Sequence, residues 1–195
     1  ICVEVNISVG INFFLVGLPD NAVKESLHRI SAAFETNGFK MPGRKITVNL
    51  SPADLRKEGS AYDLPIALGI LGASEQISAE LLDKFVIMGE LSLDGTVRPI
   101  KGALPIAIQA RKEGFRGLIL PAENAREAAV VDTLEVYGVN TLAEVIDFLN
   151  GEKNLARTEV DTRQEFFDKS HLPQRRDRFR IRFRTGLPRL RRKGS

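Results

Sequence analysis

Apolar and polar residues alternate from the start of the chain. Val3, Val5, Ile7 and Val9 are separated by Glu4, Asn6 and Ser8, the two-residue period of a strand. Gly10 turns the chain toward a second strand over 12–16, and the short connection predicts a hairpin between the two. Gly17-Leu18-Pro19-Asp20 is a turn that caps a helix, whose apolar stripe is Val23, Leu27, Ile30 and Phe34. Asn37-Gly38 ends that helix. Ile46, Val48 and Leu50 then alternate with Thr47 and Asn49 as a buried strand. Residues 51–61 carry Pro, Gly and several charges and read as a long loop. Asp63 is expected to cap the next helix, with Pro65 in its first turn. Leu64, Ala67, Leu68 and Leu71 form its apolar face, and Gly69 and Gly72 allow close approach of neighbours.

The second half alternates strands and helices. Residues 85–88 form a short apolar strand, and Asp94-Gly95 is a hairpin turn between 91–93 and 96–98. A helix spans 103–113 and stops at Gly114. A strand over 118–120 leads through Pro121 into a short alanine-rich helix, and another strand follows at 134–137. Thr141 and Glu144 make a capping box for a last helix with Leu142, Val145, Ile146 and Leu149 on its apolar face, ended by Gly151. The pattern predicts an α+β fold, with helices packed on a mixed sheet.

Charge divides the chain. Residues 171–195 hold nine arginines and Lys193 against the single acid Asp177, a charge of +9, so the total of +3 leaves −6 on residues 1–170. The basic character belongs to the tail and not to the body. We read 1–150 as the folded domain, 151–170 as a polar linker and 171–195 as an arginine-rich tail. Within the tail, the alternation over 178–184 is open to two readings, a strand on a sheet edge or a segment disordered in isolation. The tail's origin is equally open: a frame-shifted or truncated reading frame, or a genuine basic arm that binds nucleic acid without sequence preference. Cys2 is the single cysteine, so no disulfide forms within the chain, and a cytoplasmic setting is expected. No apolar run approaches the roughly 20 residues of a membrane helix, and no signal peptide is seen. The chain begins inside a strand, and we expect it to be a fragment.

Five motifs carry a resemblance. Val-Gly-Leu-Pro-Asp at 16–20, Val-Lys-Glu-Ser at 23–26 and Ile-Thr-Val-Asn-Leu-Ser-Pro-Ala-Asp-Leu at 46–55 come first. Lys-Glu-Gly-Ser-Ala-Tyr-Asp-Leu-Pro-Ile-Ala at 57–67 and Gly-Glu-Leu-Ser-Leu-Asp-Gly-Thr-Val-Arg-Pro-Ile at 89–100 follow. In this order they resemble the N-terminal domain of the ComM/YifB family, usually labelled magnesium-chelatase-like. The resemblance implies a domain similar in fold to the Lon protease domain, the C-terminal domain of RadA and domain two of a small-subunit ribosomal protein. It implies a bacterial parent protein that is an AAA+ ATPase using ATP and magnesium in a separate nucleotide-binding module. It also implies self-association in a ring, and a link to DNA branch migration during natural transformation. Against the family pattern, the first strand is missing and the arginine tail replaces the segment that leads into the ATPase module.

The resemblance also frames the candidate chemistry. A Lon-type peptidase pairs a serine at the head of a helix with a lysine from a later helix. Carried over motif by motif, those positions hold Asp63 and Leu104 here, a degenerate pair that cannot run acyl transfer. Ser60 and Lys101 can replace them only if the loop is one residue out of register, and Asp63 is better read as a helix cap. ATP hydrolysis needs a glycine-rich loop ending in Gly-Lys-Ser/Thr, and neither Gly43-Arg44-Lys45 nor Lys57-Glu58-Gly59-Ser60 supplies one. His28, His171 and Cys2 are scattered, so no metal or other cofactor is expected in this fragment. Arg44, Lys45, Arg56, Lys57, Arg98 and Lys101 lie in loops or at strand ends that can share one face. There they would either contact DNA phosphates with steep salt dependence or form an ordinary solvated rim. Tyr62 is the only aromatic near them. The reading that follows is a non-catalytic domain that positions DNA, neighbouring subunits or both. A Ser60 peptidase and a pure oligomerisation module are the alternatives.

Overall fold

Strand β3 (Lys45–Ser51) is the centre of the first half, with Ile46, Val48 and Leu50 fully buried. In the computed structural model, which describes residues 1–160 and the backbone of Arg184–Thr185, β3 has neighbours on both sides. Strand β1 (Cys2–Ser8) pairs with it antiparallel, Val5 opposite Val48, and β2 (Phe13–Val16) pairs with it parallel, Phe13 opposite Ile46. The hairpin expected around Gly10 is therefore corrected: β1 and β2 are split by β3, in the order β2-β3-β1. The reason is burial. β3 carries a full row of apolar side chains on its core face and gains most from the central place. β2 leaves Phe14 and Val16 exposed and takes an edge.

Helix α1 (Asn21–Lys24) is capped by Asp20, which accepts the Val23 N–H at 2.8 Å, and α2 (Ser26–Thr36) follows after a break at Glu25. Helix α3 (Asp63–Ala73) is buried along Asp63 to Gly72, all round and not only on the expected face. It packs on β1 and α2. Gly69 makes the first contact possible: a Cβ there would lie 2.6 Å from Val5 Cγ2. The five Leu and Ile side chains between Leu64 and Leu71 contribute about 1.5–3 kcal/mol each by leaving water.

The second half is a parallel sheet in the order β4-β7-β8, built from β4 (Phe85–Ile87), β7 (Gly117–Pro121) and β8 (Glu135–Val139). Every residue of β7 is buried, as expected for a parallel strand covered on both faces. Helices α4 (Ala103–Lys112), α5 (Ala122–Ala128) and α6 (Leu142–Leu149) connect and cover these strands. Between the halves, β5 (Glu90–Leu91) and β6 (Val97–Arg98) form the expected hairpin around Asp94-Gly95. Thr141 caps α6 by accepting the Glu144 N–H, but the returning Glu144 carboxylate accepts the N–H of Asn140, one residue earlier than in a standard box.

The stretch after α6, read as the start of a linker, lies along the free edge of β8. Arg157 bridges to Tyr137, the Thr158 N–H donates to the Val136 carbonyl at 2.8 Å, and Leu155 packs on the core. The two readings of the tail lie outside the described residues, apart from β9 (Arg184–Thr185), whose backbone pairs parallel with Glu4–Val5. No described helix is long and apolar enough to cross a membrane.

Candidate site at the head of helix α3

Asp63 is the first residue of α3, not its cap: Tyr62 holds the cap position and makes no side-chain cap bond. This corrects the sequence expectation. The Asp63 carboxylate is fully buried and points at α2 and β5 instead. Arg29 grips it with two parallel bonds, Nε to Oδ2 at 2.6 Å and Nη2 to Oδ1 at 2.9 Å. The Leu91 N–H donates to Oδ2 at 3.1 Å, and Arg29 Nη2 also donates to the Ala22 carbonyl. One carboxylate thus ties together α1, α2, α3 and β5. Burial pushes its pKa above the usual carboxylate range, against the opposing pull of Arg29, and the Arg29 guanidinium is held still more firmly protonated by Asp63.

The first turn of α3 is closed in its backbone as well. The Asp63 N–H donates to the Ser60 carbonyl, Leu64 to Gly89 and Ile66 to Tyr62, and Pro65 has no N–H. None of these groups is left to receive an anion.

Ser60 stands three residues earlier in a different setting. Its hydroxyl donates to the Glu90 carboxylate. Both line a cleft of about 340 Å³ with Glu58, Lys101 and an apolar floor of Met88, Ile100 and Ile106. The structure therefore brings Ser60 and Lys101 into one cleft. Asp63 and Leu104 are not among its lining residues. Leu104 is half-buried in the first turn of α4, its N–H donating to Glu127.

The six basic candidates have different surroundings. Arg44 lines a cleft of about 680 Å³ with Lys40 at the C-terminal end of α3, and Arg56 lines another of about 560 Å³ with Lys24 and Asp20. Lys101 belongs to the Ser60 cleft. Arg98 donates to the Ser92 hydroxyl at 2.5 Å, and Lys45 sits 5.1 Å from the centre of the Phe14 ring. Lys57 requires a correction: it is fully buried, its ammonium donating to the Pro52 carbonyl, and cannot meet a phosphate. Its backbone explains why. The Lys57 N–H donates to Leu18 and its carbonyl accepts from Asp20, which stitches the 52–60 loop to the turn before α1. Asp20 completes the stitch by accepting the Gly59 N–H at 3.0 Å. Desolvation lowers the Lys57 pKa. Tyr62 is buried too, so among the described residues the exposed aromatic next to a cation is Phe14, not Tyr62.

Arg29 and Glu90 escaped the sequence reading. The signals were present: Asp63 is the lone charge of an apolar run over 61–73, and Arg29 falls on the same helical stripe as the buried Ser26 and Ala33. His28 is exposed. Among the described residues no group of three or more His, Cys, Asp or Glu is placed to hold a metal ion.

Residues 3–124 match the family described as subunit ChlI of Mg-chelatase. The chain is 46% identical over 156 residues to competence protein ComM of Haemophilus influenzae, which covers 80% of this chain and 30% of that protein. It is 42% identical over 158 residues to YifB of Escherichia coli, covering 80% of this chain and 31% of that protein. Lon protease 2 of Bacillus subtilis is 32% identical over 126 residues, 64% of this chain and 22% of that protein. The chain thus spans about 30% of the length of its ComM and YifB relatives. Continuous similarity of this extent, in the motif order found along 16–100, means that the chain belongs to the magnesium-chelatase-like family of ComM and YifB proteins.

Proposed function

We propose that this domain is a non-catalytic, Lon-like N-terminal module of a ComM/YifB-type AAA+ ATPase. In this reading it positions DNA, neighbouring subunits or both, while a nucleotide-binding module outside this chain uses ATP and magnesium to drive DNA processing such as branch migration. The Lon-like fold assignment draws on the similarity to Lon protease 2.

The observation that carries the inert reading is the head of α3. Acyl transfer needs free N–H donors aimed at a developing oxyanion. Here the first-turn N–H groups of Asp63, Leu64 and Ile66 are all engaged, and the side chain at that point is a carboxylate locked to Arg29, not a nucleophile. A Ser–Lys peptidase remains the second reading because Ser60 and Lys101 line the same cleft. Against it, the Ser60 hydroxyl is engaged by Glu90.

DNA contact by the body is tested by fluorescence anisotropy. Residues 1–165 and the full chain are titrated with single-stranded, duplex and four-way-junction DNA over a salt series. Salt-sensitive binding of 1–165 that prefers the junction supports a DNA-positioning role. Binding by the full chain alone assigns the contact to the arginine tail and leaves the body as a subunit-contact module.

A further inference from the structure

The loop between β1 and β2 carries the two most exposed large hydrophobic side chains among the described residues. Val9 is 97% and Ile11 88% exposed, on either side of Gly10. Gly10 has a φ of 130° and lets the loop close against β3, where a Cβ on it would lie 3.1 Å from Lys45 Cβ. The Asn12 carbonyl accepts the Ile46 N–H at 2.9 Å, and Ser8 pairs with Lys45. The loop is therefore fixed at the N-terminal end of β3, with its apolar tip standing clear of the body.

Cations gather at the same end of the sheet. Residues 36–53 hold Lys40, Arg44 and Lys45 and no acid, and the neighbouring stretch 5–19 holds no charge at all. Lys40 and Arg44 are exposed and line the cleft of about 680 Å³ together with Ile7 of β1. Glu75 is the one acid on its wall. Among the described residues, Lys40, Arg44 and Lys45 form no ion pair. This end is a local excess of positive charge on a body that carries −6 over residues 1–170.

We propose that this end of the first sheet binds single-stranded nucleic acid, with Lys40, Arg44 and Lys45 on its phosphates and Val9 and Ile11 against its bases. The inference assigns a face to the DNA-contact reading above and rests on it. Charge and shape select the ligand together. Unpaired cations require an anionic partner. An apolar tip that stands clear of the body enters a base stack or a bilayer, and an acidic peptide offers it neither. Lys40 and Arg44 line a concave cleft, which a strand of nucleic acid can enter and a flat bilayer cannot. In a duplex the tip would have to unstack paired bases, whereas the bases of a single strand are already open.

The chain has no tryptophan, so one placed at the tip reports on the tip alone. Full-chain Ile11→Trp is titrated with a single-stranded oligonucleotide, the same sequence as a duplex, and phosphatidylserine vesicles. Leu55→Trp, beyond the opposite end of β3 and beside Arg56, is the control for nucleic acid held elsewhere or by the arginine tail. Circular dichroism checks the fold of each variant. The single strand should about halve the emission at position 11, through stacking on a base, and leave position 55 unchanged. Lys40→Gln and Arg44→Gln, each added to Ile11→Trp, should raise the half-quenching concentration about threefold and lower the salt slope by about 0.7. Silence at position 11, while anisotropy shows the full chain binding the oligonucleotide, overturns the inference and leaves the DNA-contact reading to another surface. Equal quenching at position 55, indifference to both substitutions, or a response to vesicles alone overturns it as well. Equal quenching by the duplex overturns the choice of a single strand. No binding of any nucleic acid by the full chain overturns both readings.

Discussion

Asp63 and Ser60 lie three residues apart at the head of one helix and have opposite surroundings. Asp63 is fully enclosed, and both its oxygens are bonded, to Arg29 and to the Leu91 N–H. Ser60 opens into a cleft with Glu58, Glu90 and Lys101 and is half-buried. The contrast separates two uses of polar groups. A carboxylate with all its partners inside the protein specifies how elements meet and has nothing left for a ligand. A hydroxyl at a cleft wall can still meet one.

The largest effect expected from breaking the enclosed side is that of Asp63→Ala. It leaves the Arg29 guanidinium with the Ala22 carbonyl and a long contact to Glu25, and strips the Leu91 N–H of its acceptor. Removing one partner of a buried pair costs about 3–5 kcal/mol. The lower end applies because the Arg29 side chain is 20% exposed and can draw in water. Urea unfolding measures the loss, and a cost below about 1 kcal/mol would mean that the tie is dispensable.

Arg29→Met sharpens the same point through pH. Without the cation, the enclosed carboxyl is pushed further above its ordinary value of about 4. A group with a raised folded pKa binds its proton more tightly folded than unfolded, so stability falls as pH rises above the unfolded value. The deficit of the variant against wild type should therefore be large in mildly alkaline solution and shrink on acidification toward the carboxylate range. A deficit that grows on acidification would contradict the account.

The smallest expected effect concerns Lys57, a buried ammonium that donates to a backbone carbonyl and has Asp54 as the acid acting on it through space. Its lowered pKa means that the unfolded chain binds the proton more tightly, so stability at this site rises as pH climbs toward the usual lysine value of about 10.4. Lys57→Met should change stability by no more than about 1 kcal/mol near neutrality. Wild type should gain on the variant as pH rises. Parallel pH profiles of the two would show that the ammonium costs nothing where it sits.

Much of the fold was legible where the signal is local. The alternation over 46–50, the Asp94-Gly95 turn and the Thr141 cap each depend on residues a few positions apart, and all three stand in the structure. Strand order was not legible. Gly10 between two apolar strands reads as a hairpin, but the pairing was decided by how much core β3 buries, which local sequence does not carry. The candidate site was read in part. Motif alignment paired Asp63 with Leu104 and admitted Ser60 and Lys101 only with the loop one residue out of register, yet it is Ser60 and Lys101 that line one cleft. Lys57 was misread because a lysine between proline and glycine looks solvated, whereas its backbone bonds to Leu18 and Asp20 draw it inside. Arg29 was missed because its partner lies 34 residues away.

The open side of this pair, the Ser60 cleft, is expected to do no acyl-transfer chemistry. The direct measurement is labelling of the full chain by a serine-directed fluorophosphonate probe, with Ser60→Ala as control. No labelling above the Ser60→Ala background is expected. Labelling that Ser60→Ala abolishes and Lys101→Met weakens would contradict it, and would make the Ser60 cleft an active site.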